Sequence, residues 1–417
     1  MRPPLIHRPS RRAFLRTSAL ISLGAAVARV DLAAVQPGST LKDRFPDLAR
    51  HFIFEYYPWY GAQPFKHWDQ DGHVPPADLA TNYLPVLGAY DSGSTAVLEQ
   101  HATWMKAAGA GAINVSWWGR DSDTDRLVPT LMDVMAAHDL RVTFHLEPYR
   151  ARHAAAYASD IEYLIRTYGD ARHWDAMLLL HHEDGSIGPI FKSFRTILPS
   201  ESTDCHGRTS PVDDYTADQE WREQTDRVRE TFRKDFSRLT LLADSLDVAR
   251  TQASGFDGIA IYDNYVGPEK WRRVAEDCTA RRLVFSFNVN PGFDGVVDLN
   301  PPADGCYVPL PIEPGPHDYQ WDQPVDRERA ADESRRRITT TFLTTVALQS
   351  DEQLFNRQRG FFLVYLNSFN EWHEGHQYEP AKNDAAIADD QRSRQYHNAA
   401  DGQYRLNTLR TLLSSVE

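Results

Sequence analysis

The sequence predicts an α/β protein: a single (β/α)8 barrel with long βα loops after the fourth and seventh strands. Three observations carry that prediction. Eight short apolar runs recur along the chain, amphipathic helical segments separate them, and most of the runs end in aromatic or ionisable residues. The 417 residues are 41% hydrophobic and 25% charged, enough for a large core, and one decorated barrel covers that length.

The expected strands are 51–57, 112–117, 141–147, 176–181, 239–243, 258–262, 283–288 and 361–368. Between the first two, residues 95–108 place Val97, Leu98, Ala102, Met105 and Ala108 on one helical face, capped by the Asp91-Ser92-Gly93-Ser94 turn. A second helix over 125–138 uses Leu127, Leu131, Val134 and Met135. Pro268-Glu269 opens a helix that runs to Arg281, and 335–349 carries Ile338, Phe342, Val346 and Leu348. Two segments exceed a minimal barrel. Residues 184–236 hold a charged helix near 218–236, and 291–334 are rich in Pro and Asp. Both are expected at the C-terminal mouth, where long loops shape specificity.

A barrel domain over 45–417 leaves an N-terminal segment. There Ser10-Arg11-Arg12-Ala13-Phe14-Leu15-Arg16 precedes a mild apolar stretch from Ala19 to Ala28, the pattern of a twin-arginine signal peptide over residues 1–34. Export through the twin-arginine translocon to the periplasm or medium is the expectation. The net charge of −13 argues against an electrostatic nucleic-acid binder, and no run of 18 apolar residues offers a membrane span. Cys205, Cys278 and Cys306 fit neither a disulfide framework nor a zinc pattern, so free thiols are expected.

Chemistry concentrates at the strand ends. Asn370-Glu371-Trp372-His373-Glu374-Gly375 follows the apolar run Phe361–Leu366, setting two carboxylates three residues apart at the mouth. Other strands end in Tyr56-Tyr57-Pro58-Trp59-Tyr60-Gly61, Ser116-Trp117-Trp118, His145-Leu146-Glu147-Pro148-Tyr149, His181-His182-Glu183-Asp184 and Tyr262-Asp263-Asn264-Tyr265. Aromatic faces stack on sugar C–H faces while carboxylates and amides hold hydroxyls, so such a mouth suits an oligosaccharide. Adjacent Trp117 and Trp118 point to opposite sides of a strand, so at most one faces the site. Glu147 shares the face of His145, and a buried glutamate there needs a partner. His373-Glu374-Gly375-His376 lacks the four-residue spacing of a helical metal motif, and no metal or organic cofactor is expected.

Together these motifs, with His67-Trp68, Gly255-Phe256-Asp257-Gly258 and Pro291-Gly292-Phe293, resemble glycoside hydrolase family 99, the endo-acting α-mannosidases and α-1,2-mannanases. The resemblance implies a (β/α)8 barrel and retention of anomeric configuration. It implies that Glu374 is the general acid/base and Glu371 the base on the substrate's own 2-hydroxyl, by way of a 1,2-anhydro sugar. His145 and Glu147 match sugar-binding positions, and Tyr57, Tyr60, Trp117, Tyr262, Trp372 and His373 join them as candidates. Glu374 is then expected protonated and Glu371 ionised. Where the family carries a Tyr-Asp-Ser-Tyr-like fourth-strand ending, this chain is read as His181-His182-Glu183-Asp184. Rival readings are a glycosidase for another glycan, a catalytically silent sugar-binding protein and a metal-dependent hydrolase.

Overall fold

The structure, a computed structural model, describes residues 40–149, 154–171, 174–204, 206–296 and 319–416. The signal-peptide expectation over 1–34, Cys205, Cys306 and much of the loop after the seventh strand lie outside these residues. Thr40–Glu417 is one compact unit.

Eight parallel strands form the expected barrel. They are β1 (Phe52–Tyr56), β2 (Ala112–Trp117), β3 (Arg141–Leu146), β4 (Ile187–Ser193), β5 (Thr240–Ala243), β6 (Gly258–Ala260), β7 (Val284–Ser286, continuing as Asn288–Val289) and β8 (Val364–Leu366). Each pairs with its neighbour, and β8 pairs with β1 in the register Ile53↔Tyr365. The two halves of β7 face opposite ways, Val284–Ser286 to β6 and Asn288–Val289 to β8, which closes the ring. All five residues of β1 are buried, as a strand covered on both faces requires.

Helices follow the strands in turn: α1 (Thr95–Ala108), α2 (Asp123–Ala137), α3 (Ala154–Leu164), α4 (Asp218–Phe232), α5 (Val248–Ala253), α6 (Trp271–Ala280), α7 (Pro324–Ser350) and α8 (Tyr404–Ser414). The expected apolar stripes face inward: Leu98, Ala102 and Met105 of α1 and Leu131, Val134 and Met135 of α2 are buried. Ser122 caps α2 by accepting from the Asp125 amide. The seventh helix starts eleven residues before its expected start at 335, with Pro324 in its first turn. Its early turns are highly charged, so they carry little apolar periodicity to read.

The fourth strand is a correction. Residues 176–178 touch β3 only through the parallel bridge Val142↔Met177. Leu179–His181 then turns back as an antiparallel hairpin on the start of β4. Asp184-Gly185 makes the turn, with Gly185 at φ 78°, an Asp-Gly hairpin signal between two apolar runs. Gly188 allows the segment before β5 to pass close to β4, since a Cβ there would meet the Arg238 carbonyl at 1.4 Å. His181-His182-Glu183-Asp184 therefore lies at the N-terminal end of the barrel, where Glu183 pairs with Arg44 and Arg357. The true fourth-strand ending is Ser193-Phe194-Arg195, and the segment 184–236 is a hairpin, β4, a mouth loop and the regular helix α4.

Candidate active site

The turn after β8 is fixed from several directions. The Asn370 side-chain oxygen accepts from the Tyr57 amide at 2.8 Å, and its nitrogen donates to the Tyr57 carbonyl at 3.0 Å. The Glu371 amide donates to Ser368 Oγ, and the Trp372 amide to the Tyr60 hydroxyl, each at 2.9 Å. Trp372 Nε1 donates to Glu379, whose buried carboxylate also accepts from Tyr90 and contacts His101 Nε2. Gly375 ends the turn at φ 67°, with the Asp294 carbonyl where a Cβ would sit. Side chains so locked hold their direction.

Glu371 and Glu374 both line one cavity of about 390 Å³ at the C-terminal end of the strands. One oxygen of each, with one His376 nitrogen, lies within 4.8 Å of the others. The Tyr262 hydroxyl donates to Glu371 Oε2 and reaches Glu374 Oε2 at 3.3 Å. His376 Nε2 is 2.7 Å from Glu374 Oε2 and 3.4 Å from Glu371 Oε2.

Their environments differ. The Glu371 side chain is 5% exposed, that of Glu374 32%. Burial, then the charge of Glu374, push the Glu371 carboxyl well above the usual range. Burial acts on Glu374 in the same sense, but hydrogen bonding and charge from His376 leave it below its ordinary value. The two carboxyls are thus driven apart, Glu371 upward and Glu374 downward. The downward shift comes from His376, five residues beyond Glu371 and folded back under Glu374. Burial also pushes the His373 ring down to about 4.

Beneath the cavity lies a charged group that the sequence reading missed. Lys192 Nζ on β4 meets Glu55 Oε1 on β1 at 2.5 Å. The other Glu55 oxygen accepts from Asn114 at 2.8 Å and lies 3.1 Å from His145 Nδ1. His145 Nε2 is buried and without a hydrogen-bond partner, in a ring that lines the cavity. Glu147 accepts from Ser116 Oγ, which accepts in turn from Trp118 Nε1. On the opposite wall Trp59 stacks on His67 at 4.6 Å and lies 5.4 Å from His373.

Of the candidates, Tyr57, His145, Glu147, Tyr262, His373, Glu371 and Glu374 line the cavity. Three do not. Trp117 is fully buried on the helix side, donating to Asp125 of α2, and its neighbour Trp118 faces the cavity instead. Tyr60 and Trp372 are buried behind the turn, packed with Trp68 and Glu379 respectively. Trp59, His67, Gln70, Trp118, Pro148, Phe194 and Arg195 complete the lining. Strand parity could have flagged Trp118, which lies two residues beyond Ser116 and bonds to its hydroxyl; His376 carried a sequence signal only as part of a metal motif. Glu371, Glu374 and His376 together could accept a divalent cation. Cys278, the one described cysteine, is free and buried.

Residues 47–183 match the sequence profile of Glycosyl hydrolase family 99. A glycoprotein endo-alpha-1,2-mannosidase of Rattus norvegicus is 26% identical over 369 residues, covering 78% of this chain and 67% of the relative. A glycoprotein endo-alpha-1,2-mannosidase-like protein of Homo sapiens is 28% identical over 358 residues, covering 78% and 67%. The solved GH99 endo-alpha-mannosidase from Bacteroides thetaiotaomicron superposes with a TM-score of 0.61 at 21% identity, covering 88% of this chain and 97% of that one.

Proposed function

We propose that the chain is a member of glycosyl hydrolase family 99, a retaining, endo-acting α-mannosidase that cleaves α-1,2-mannan-like linkages; the match over residues 47–183 and the mannosidase relatives support this reading. The observation that carries this reading is the pair of glutamates on one locked turn, their oxygens within 4.8 Å across one cavity and their environments driven apart. An inverting pair stands roughly 6.5–9.5 Å apart to admit a water, so the short separation favours retention.

Cleavage needs one proton on the pair, on Glu374 beside the leaving oxygen, with Glu371 charged beside the sugar 2-hydroxyl. The Tyr262 hydroxyl touches both carboxylates and can pass a proton between them. Glu371 then removes the 2-hydroxyl proton as O2 attacks C1. The C1–oxygen bond breaks, and Glu374 protonates the departing oxygen. Water next opens the 1,2-anhydro sugar at C1, giving a proton to Glu374, while Glu371 returns its proton to O2. Two inversions give net retention. An axial 2-hydroxyl opposite an α leaving group is the geometry mannose supplies.

His145, Glu147 and Tyr57 are assigned to the sugar beside the cleaved bond, and Trp59 and Trp118 to stacking. No cofactor enters this scheme, and the N-terminal residues 1–34 direct export by the twin-arginine translocon to the periplasm or medium. Among the described residues no helix is long and apolar enough to cross a membrane. The test is incubation with α-1,2-linked mannan fragments and mass analysis of the products. Internal cleavage with the α configuration kept, unaffected by a chelator, is expected. Binding without any product would leave a sugar-binding protein, and activity lost on chelation a metal-dependent hydrolase.

A further inference from the structure

A second cavity, of about 380 Å³, lies at the N-terminal end of the barrel, opposite the glutamate pair. Arg229, Arg233, Arg238, Arg282 and Arg359 line it, with Asp257 as the one carboxylate. Its floor is apolar, made by Phe232, Phe236 and Phe361. We propose that this cavity is a binding site for an organic phosphate, the anion held by the arginines and its apolar body lying on the phenylalanines.

The charge balance supports an anion. The chain as a whole has a net charge of −13, yet here five cations meet one anion in the lining. Neighbouring acids compensate in part. Arg229 pairs with Asp257 at 3.0 Å and with Asp226 at 3.5 Å, and Arg233 with Glu230 at 3.3 Å. Arg238 and Arg359 share the single carboxylate of Asp184, at 3.0 and 3.4 Å. Arg282 has no carboxylate partner among the described residues; its guanidinium lies 5.3 Å from the centre of the Phe355 ring. Several donors of these planar forks thus remain for a ligand, and a doubly charged phosphate answers them better than a single carboxylate.

His182 adds an independent sign. It lines the same cavity, is 5% exposed, and its buried Nδ1 has no hydrogen-bond partner. Burial, then the charge of Arg238, push its ring down to about 3, so it stands neutral among cations. A buried polar atom without a partner is uncommon in a purely structural core. Arg282 is the arginine of this lining without a carboxylate partner among the described residues, and it stands beside a cavity that also holds the unpartnered His182 nitrogen.

Calorimetric titration of the full chain with phenyl phosphate, inorganic phosphate and phenol, at fixed ionic strength in chloride, tests the proposal. Saturable binding of one phenyl phosphate is expected, about tenfold tighter than inorganic phosphate because the ring is buried. Arg282→Glu and Arg233→Glu change exposed side chains remote from the glutamates. Each is expected to weaken phenyl phosphate by about tenfold or more with thermal unfolding unchanged. If a charge reversal fails to fold, Arg282→Gln carries the same expectation. No saturation below about 10 mM, binding of phenol as tight as that of phenyl phosphate, or binding that the variants leave untouched would overturn it.

Discussion

His376 Nε2 lies 2.7 Å from Glu374 Oε2, and the histidine is itself fully buried. The contact favours the charged form of Glu374, while burial and the charge of Glu374 push the Glu371 carboxyl up. Glu374 needs a proton only when a leaving oxygen is present. Glu374→Gln is therefore expected to slow cleavage of an unactivated mannoside by about 10²–10⁴-fold, but to spare much of the rate on an aryl mannoside whose leaving group needs no proton. Glu371→Gln should lose both, because the 2-hydroxyl is never activated. Steady-state kinetics on the two substrates decides it; identical patterns for the two variants would remove the division of labour.

Tyr262→Phe removes the hydroxyl that touches both carboxylates. That hydrogen bond favours the charged form of each glutamate, so its loss raises both. The active form carries one proton, bounded below by Glu374 and above by Glu371. The bell-shaped profile of kcat/KM should move to higher pH, with kcat down about 10–100-fold. A profile that stays in place would show that Tyr262 carries no proton between them.

The Lys192–Glu55 pair makes a stability prediction. Burial opposes ionisation of Glu55, but Lys192 and then His145 outweigh it and hold the carboxyl at about 2, against an ordinary 4.5. The folded pKa is the lower one, so ionisation favours the folded state above about 4.5, and that contribution is lost as pH falls from about 4.5 toward 2. The amount is on the order of 3 kcal/mol. Lys192→Met strands a buried carboxylate and should cost about 3–5 kcal/mol at neutral pH, with part recovered in the Lys192→Met, Glu55→Gln double variant. Urea unfolding across pH measures both; a single variant as stable as the wild type would contradict the pairing.

Trp117 and Trp118 should separate cleanly. Trp118→Ala removes a 37% exposed ring from the cavity wall and should raise KM about tenfold with little change in melting. Trp117→Ala empties a packed, hydrogen-bonded core position and should cost about 3–5 kcal/mol of stability. The opposite assignment of effects would reverse the placement.

Legibility in the sequence followed the range of the contacts involved. Glu371 and Glu374 could be read because one short turn after an apolar run brings them together. Seven strands could be read because a parallel barrel buries continuous apolar segments, and the fourth was misplaced because two such segments flank Asp184-Gly185. Glu55 gave no sign: all of β1 is buried, so alternation cannot mark an inward carboxylate, and its partner Lys192 is 137 residues away. Tyr60 and Trp372 are aromatic residues beside the site whose rings face inward for packing, which only tertiary structure decides. The contact of His376 with Glu374 depends on the chain folding back, a fact of the turn's shape and not of its composition.

The Asn370 amide clasps the Tyr57 backbone across 313 residues of chain. Those two residues leave the last and first staves of the ring, so the seam of the barrel runs beside the reacting sugar. A fragment that stops short of residue 370 lacks both glutamates, and a complete chain with its seam open has nothing to aim them. Turnover of glycan is thus a readout of ring closure: the molecule can begin to cut only after its beginning has found its end.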